Sequence, residues 1–375
     1  MKIFTGSNYY PEHLGGIEFV AKNLVQKWRE KHQVIWMACD VIERPHACVE
    51  GDLPILASNF TETLLGFPYP IPVPWALRKI YREIRDCDLV HLHDCLYLAN
   101  LAAFYMAIKC RKPVVITQHI ELVIYAETYK NLLQRLAYRT AGKWILENAD
   151  QIIFVSDRVR LFFESWIKFR NTPKIISNGI DRKLFYPPIN NREREHYREK
   201  LGVENGAPAL LFIGRLTQKK GLNHIYDIAR ACPNWNWWII GNGEINPSEW
   251  QLNNVKVIPQ LHQNKLRQFY LSADLLILPS AGEGFPLVAQ EALACGLPIA
   301  ISEETASNIT DAPIIKLNTN DLGAMINKID EFLSCDKSQV ARRSAESAAY
   351  ASRWNWDEVS EQYLYIFSSL VAPKT

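Results

Sequence analysis

The strongest constraint on how this chain folds is a unit that occurs twice. "KIFTGSNYYPEHLGGIEFVAKNL" near the start and "ALLFIGRLTQKKGLNHIYDIA" past the middle each run from a short apolar stretch, through a glycine-bearing loop, into a segment of helical periodicity. A buried strand feeding a glycine loop and then a helix is how a doubly wound parallel sheet begins. Two such openings predict an α/β chain of two Rossmann-like lobes facing each other across a cleft. The length of 375 residues agrees, because a single core seldom grows that large.

Further apolar runs follow at the spacing such sheets need. "QVIWMAC", "DLVHLH", "PVVITQH" and "QIIFVS" are expected strands of the first lobe. "KIISNG", "NWWIIGNG", "VKVIPQ", "LLILPS" and "LPIAIS" are expected in the second. The linker-like "KFRNTPK" divides them, giving domains at 1–170 and 171–350. The tail, 351–375, holds "RWNWDEVSEQYLYIFSSL", an amphipathic helix expected to return to the first lobe. The charge run "NNREREHYREK" reads as a solvated helix or loop with no special role.

Composition excludes several classes. A net charge of +2 lacks the basic excess of a nucleic-acid binder. The 8 cysteines form no C-x-x-C and no Cys/His ligand spacing, so they are expected as mostly buried thiols of a reducing cytosol. "MKIFTG" enters structure at once, without the pattern of a secretory signal. The longest apolar stretch, "CLYLANLAAFYMAIKC", is about four residues short of a membrane span and reads as a buried helix. A cytoplasmic protein is expected.

The chemistry concentrates in "PSAGEGFPLVAQEALACGLP". This stretch follows the strand "LLILPS", at the end where open α/β sheets bind ligands. Pro286 suits a helix start, and Gly296 with Pro298 a helix end, so Glu283 lies in a loop and Glu291 on a helix. Eight helical positions span roughly 12 Å, well beyond the ~5 Å of a retaining glycosidase pair. Two acceptors gripping different hydroxyls of one elongated ligand fit better, against the plain alternative of two unconnected surface charges. In "GRLTQKKG", Arg215 and Lys220 sit on a strand-to-helix turn, where cations and backbone N–H groups make a diphosphate site. Gly15 and Gly16 precede the first helix and allow a phosphate close to the backbone, though without the G-x-G-x-x-G spacing of dinucleotide binders. His119 ends "VVITQH" and is a candidate for touching a transferred group. His91 and His93 are read as alternating along their strand, so that only one faces the crevice, and both as structural. Asp86-Cys87-Asp88 is a formal D-x-D, but it precedes its strand, away from the expected crevice; no metal is expected.

Taken in order, "PEHLGGIE", "DLVHLH", "TQH", "SNGID", "GRLTQKKG", "IIGNGE", "ADLLILPS", "EGFPLVAQEALACGLP" and "RWNWDEV" resemble the family 4 retaining glycosyltransferases, which have the GT-B fold and an E-x7-E signature. The resemblance spans nearly the whole chain. It implies transfer of a sugar from a nucleoside-diphosphate sugar (UDP- or GDP-linked) to a glycan or lipid-linked acceptor, with retention, no cofactor and no metal. It also implies roles. Arg215 and Lys220 hold the diphosphate; Glu291 accepts from the ribose, Glu283 from the donor sugar; His119 touches that sugar. Gly15, Gly16, Gly214, Gly243, Gly284, Phe285, Pro286 and Leu287 complete the donor-binding set. The setting implied is polysaccharide or glycoconjugate synthesis. A non-catalytic sugar-nucleotide or glycan-binding protein on the same scaffold, or a GT-B epimerase, are the alternatives.

Two stretches depart from the family pattern. Pro259-Gln260 replaces the usual glycine after "VKVI", and "TASNITDAP" replaces a glycine-rich Pro-Glu element. Base and sugar therefore stay open. Finally, "PIPVPWALRKIYREIR" sets Trp75, Ile80 and Tyr81 beside Arg78, Lys79, Arg82 and Arg85, a composition that suits contact with anionic lipid or packing on the lobe equally.

Overall fold

A computed structural model describes residues 1–13, 15–40, 46–61, 69–122, 128–203, 206–281, 286–307 and 311–371. They form two compact units. One comprises Met1–Gly179 and the chain from Trp356 onward; the other is Ile180–Asn355.

In the first unit the described strands are β1 (Lys2–Tyr9), β2 (Gln33–Asp40), β3 (Asp52–Ser58), β4 (Ile71–Pro72), β5 (Leu89–His93), β6 (Val114–Gln118), β7 (Gln151–Phe154) and β8 (Lys174–Ile175). Their order is β4-β3-β2-β1-β5-β6-β7-β8, parallel except for the β3–β4 pair. The residues of β5, β6 and β7 are buried throughout, as continuous apolar runs must be when helices cover both faces of a parallel sheet.

The helix Trp356–Val371 belongs to this unit and packs on Gly16–Arg29. Trp28, with no exposed surface, lies 5.1 Å from the Phe367 ring and 5.7 Å from that of Tyr363. Full burial of such a side chain stabilises by about 1.5–3 kcal/mol. The exposed Lys31–Glu361 pair at 2.6 Å is screened by solvent and adds little. Aromatic burial therefore holds the helix in place.

The second unit has β9 (Ala209–Ile213), β10 (Asn236–Ile240), β11 (Val255–Ile258), β12 (Leu275–Leu278), β13 (Ile299–Ser302) and β14 (Ile314–Leu317). They are parallel, in the order β11-β10-β9-β12-β13-β14. The chain winds outward from β9 to β11, then resumes at β12 on the other side of β9. That reversal is a topological switch point, where the loops after β9 and β12 part and leave a crevice. The first sheet has the same reversal between β1 and β5.

Sequence and structure differ in several places. "KIISNG", expected in the second lobe, pairs through Lys174–Ile175 with β7 in the first unit. The compact units run to Gly179 and resume at Trp356, alongside the expected domain limits of 170 and 350. The strands β3, β4 and β14 were not anticipated. Finally, the charge run forms the helix Asn191–Leu201, and two of its arginines are not merely solvated. Arg194 donates to Asp274 Oδ1 at 2.6 Å and to the carbonyls of Leu271 and Ala273. Arg198 donates to Asp274 Oδ2 at 3.2 Å and to the carbonyls of Ser272 and Ala207. Asp274 also accepts from Ala209 N at 2.8 Å, so this cluster fixes the beginning of β9 against the approach to β12.

Candidate active site

In the second unit, the loops after β9, β10 and β12 are joined by their backbones. Leu216 N donates to Asn242 O at 2.9 Å, and Ile245 N to Leu216 O at 2.9 Å. Gly243 lies so close to Leu216 that a Cβ there would meet its carbonyl oxygen at 2.3 Å. Gly221, at φ +77°, ends the turn Gln218–Lys220 and precedes the helix Leu222–Ala231. A Cβ on Gly221 would stand 2.3 Å from Pro279 O, and Ala281 N donates to Lys219 O at 3.0 Å. Three segments far apart in sequence thus meet at the switch point. The close backbone approach there leaves no room for a Cβ at 221 or 243.

Arg215 is exposed on this rim, and Lys220 is half-buried, its stem running past Gly214. Ser280 O accepts from Ser302 Oγ at 2.6 Å and Thr305 Oγ1 at 3.2 Å. Glu283, Gly284 and Phe285 lie outside the described residues. The helix Leu287–Ala294 follows, with Pro286 at its N-cap and Leu287 opening its first turn.

Glu291 projects from that helix and is only 4% exposed. Its Oε2 accepts from Tyr270 Oη at 2.7 Å and its Oε1 from Gln263 Nε2 at 2.7 Å. Burial pushes the carboxyl up to about 7, against these two donors, which favour the ionised form. A buried carboxylate held in this way is a fixed acceptor, not a solvated helix charge. Sequence reading missed Gln263 and Tyr270, because no local spacing links them to Glu291.

The remaining candidates lie in the first unit. Gly15 caps the helix Gly16–Arg29, and the Glu18 carboxylate folds against it, 2.0 Å from where a Cβ would be. His119 directly follows β6 and is buried, 5% exposed; its Nε2 is 2.9 Å from His93 Nδ1. Burial holds the His119 imidazole down at about 3, so both rings of the pair are neutral near pH 7. His91 and His93 do not take opposite faces. Residues two apart on a strand share one, and their rings stand 4.5 Å apart. His91 is held by hydroxyls on both sides, Thr5 Oγ1 at 3.0 Å and Thr117 Oγ1 at 2.8 Å. Beside them, Asp94 adopts φ +70° and accepts from Gln118 Nε2 at 3.0 Å; burial raises its carboxyl to about 6.

The D-x-D carboxylates are otherwise engaged. Asp86 pairs with Arg85 at 2.9 Å, and Asp88 accepts from Lys2 N at 2.7 Å. Among the described residues, no group of three or more His, Cys, Asp or Glu side chains is placed to hold a metal ion.

The family model described as Glycosyltransferase Family 4 matches residues 14–184, and that described as Glycosyl transferases group 1 matches 193–348. An uncharacterised glycosyltransferase of Methanocaldococcus jannaschii is 27% identical over 57% of this chain and 57% of its own length. A D-inositol 3-phosphate glycosyltransferase of Xylanimonas cellulosilytica is 26% identical over 75% of this chain and 72% of its own. The N,N'-diacetylbacillosaminyl-diphospho-undecaprenol alpha-1,3-N-acetylgalactosaminyltransferase of Campylobacter jejuni is 26% identical over 65% and 66%. Among solved structures, a sucrose-phosphate synthase from Thermosynechococcus elongatus superposes with a TM-score of 0.79 at 18% identity, covering 99% of each chain. The Anabaena protein HepE, solved with UDP and glucose, gives 0.77 at 20% identity, covering 98% of this chain and 100% of its own.

Proposed function

Because the chain belongs to the family 4, group 1 glycosyltransferases and has their GT-B fold of two Rossmann-like units, we propose that it moves a sugar from a nucleoside-diphosphate sugar to a hydroxyl of a glycan or lipid-linked acceptor. Transfer proceeds with retention at the anomeric carbon and without a metal. The observation that carries this reading is the meeting of the "GRLTQKKG" turn with the loops after β10 and β12, next to a helix bearing the buried Glu291. Arg215 and Lys220 would neutralise the diphosphate as the bond from the anomeric carbon to phosphate oxygen breaks and negative charge grows there. Glu291 would accept from the ribose hydroxyls and Glu283 from the sugar. Backbone N–H groups of Gly16, Gly243, Gly284 and Leu287 would add donors, with Gly15, Gly214, Phe285 and Pro286 completing the donor-binding set. His119 is the first unit's candidate contact to the sugar. The acceptor oxygen bonds to the anomeric carbon on the face the phosphate leaves, and a donor phosphate oxygen takes the acceptor proton.

Turnover of a panel of UDP- and GDP-sugars, by metal-free protein in chelator, tests this. The expected product is a glycoside with the donor's anomeric configuration, read by NMR coupling. Inverted product, or strict metal dependence, would overturn the mechanism. Tight nucleotide binding without turnover would favour the binding-protein alternative, and an isomerised sugar nucleotide the epimerase.

An acceptor carried on lipid would bring the protein to the cytoplasmic face of a membrane. No described helix is long and apolar enough to cross one. The helix Ala76–Arg85 buries Ile80 and Ile84 but leaves Trp75 63% and Tyr81 46% exposed, beside exposed Arg78, Lys79, Arg82 and Arg85. A groove of about 370 Å³ adjoins it, lined by Leu77, Arg78, Tyr81, Tyr105, Met106 and Lys109. Co-sedimentation with vesicles rich in anionic lipid is expected, and it should weaken in salt. Equal recovery with neutral vesicles would refute an electrostatic contact.

A further inference from the structure

The histidine pair of the first unit holds information that neither ring carries alone. His93 Nδ1 and His119 Nε2 are 2.9 Å apart, a hydrogen bond that needs one donor and one acceptor. A neutral imidazole has a single N–H, so fixing the donor fixes both tautomers. Two arrangements exist. If His119 Nε2–H donates, the proton of His93 must sit on its own Nε2. If His93 Nδ1–H donates, His93 Nε2 is a bare lone pair and the proton of His119 sits on Nδ1.

The surroundings of His93 distinguish them. Its Nε2 is sealed from solvent and has no hydrogen-bond partner among the described residues. The neighbouring His91 ring offers no lone pair, because both its nitrogens are engaged with Thr5 and Thr117. A buried N–H without an acceptor is rarer in folded proteins than an under-used acceptor. The first arrangement would strand such an N–H at His93, whereas the second strands only a lone pair.

We infer that His93 is a positioning residue: its Nδ1–H donates to His119 Nε2, which fixes His119 in the Nδ1–H tautomer and makes it a hydrogen-bond donor to the substrate. His119 Nδ1 makes no hydrogen bond among the described residues, so it is the atom left for a ligand. A His119 fixed in this way presents an N–H to a sugar oxygen. It has no lone pair on Nδ1 with which to take a proton, so it is not a general base. This inference rests on the assignment of His119 to the sugar, and the experiment separates the two.

Full-length protein labelled with ¹⁵N-histidine is examined by multiple-bond ¹H–¹⁵N NMR. The expected His119 pattern is a pyrrole-type Nδ1 and a pyridine-type Nε2; the reverse pattern overturns the inference. His93→Leu removes the donor and should scramble the tautomer, whereas His93→Asn retains an amide N–H where Nδ1 was and should preserve it. Transfer should follow suit. We expect kcat to fall at least about tenfold in His93→Leu and recover in His93→Asn, with nucleotide affinity unchanged in both. An unaltered His119 pattern in His93→Leu also overturns the inference. A scrambled tautomer with normal kcat would uphold the positioning and remove His119 from the sugar contact. Should His93→Leu fail to fold, the native spectrum decides alone.

Discussion

Arg215→Ala and Lys220→Ala should each lower kcat/KM for sugar transfer by about 10²–10³-fold, the loss typical of one pre-placed group facing charge that develops in the transition state. The melting temperature should stay within about 2 °C of native, because Arg215 is exposed and Lys220 only half-buried on the rim of the second unit. The turn itself is held by backbone contacts that neither substitution touches, from Ala281 N to Lys219 O and from Lys220 N to Thr217 O. The double variant should lose less than the product of the two, since both cations face the same diphosphate. Steady-state kinetics with nucleotide titrations check this. Turnover within threefold of native in both single variants would remove the diphosphate assignment.

Glu291→Gln should have opposite effects on binding and on stability. The native carboxyl, raised by burial to about 7 from an ordinary 4.5, is protonated in the folded protein over a range where the unfolded chain has ionised. Its contribution to stability is therefore fully present below about pH 4.5 and lost as pH rises through 7. The total is on the order of 3 kcal/mol. Glutamine cannot ionise, so the variant should gain stability relative to native protein between pH 5 and 8. Nucleotide binding should weaken by roughly 10–100-fold at pH 8, because the ribose loses a charged acceptor. Native affinity should rise with pH through 7, while the variant's stays flat. Chemical denaturation and calorimetric titration across that range measure both. A stability difference that does not change with pH would show that Glu291 is not a buried, ionising group.

Much of the fold was legible because parallel sheets write their strands as uninterrupted apolar runs, as in "LLILPS" and "ALLFIGR". The strands that escaped notice lack that mark. In β3, Pro54 interrupts the run and Leu56 and Ser58 are exposed; in β14, Lys316 points to solvent. "KIISNG" reads as a strand in sequence, but its two-residue pairing to β7 carries no local mark of which sheet it joins. At the candidate site, the loops announced themselves through glycine and cation spacing. The partners of Glu291 did not, because Gln263 and Tyr270 reach it from 28 and 21 residues away. His91 and His93 share a face because residues two apart on a strand point the same way, and the bond from His93 to His119 spans 26 residues.

The return of Trp356–Val371 to the first unit has a consequence for how the protein is made. The whole second unit, Ile180–Asn355, is inserted within the sequence of the first. During synthesis it leaves the ribosome complete before its host does, so the later domain in the sequence is the first able to finish folding. Until Tyr363 and Phe367 emerge, Trp28 has no cover on that side of its helix. The nascent chain thus carries an exposed aromatic face for the time needed to translate the second unit.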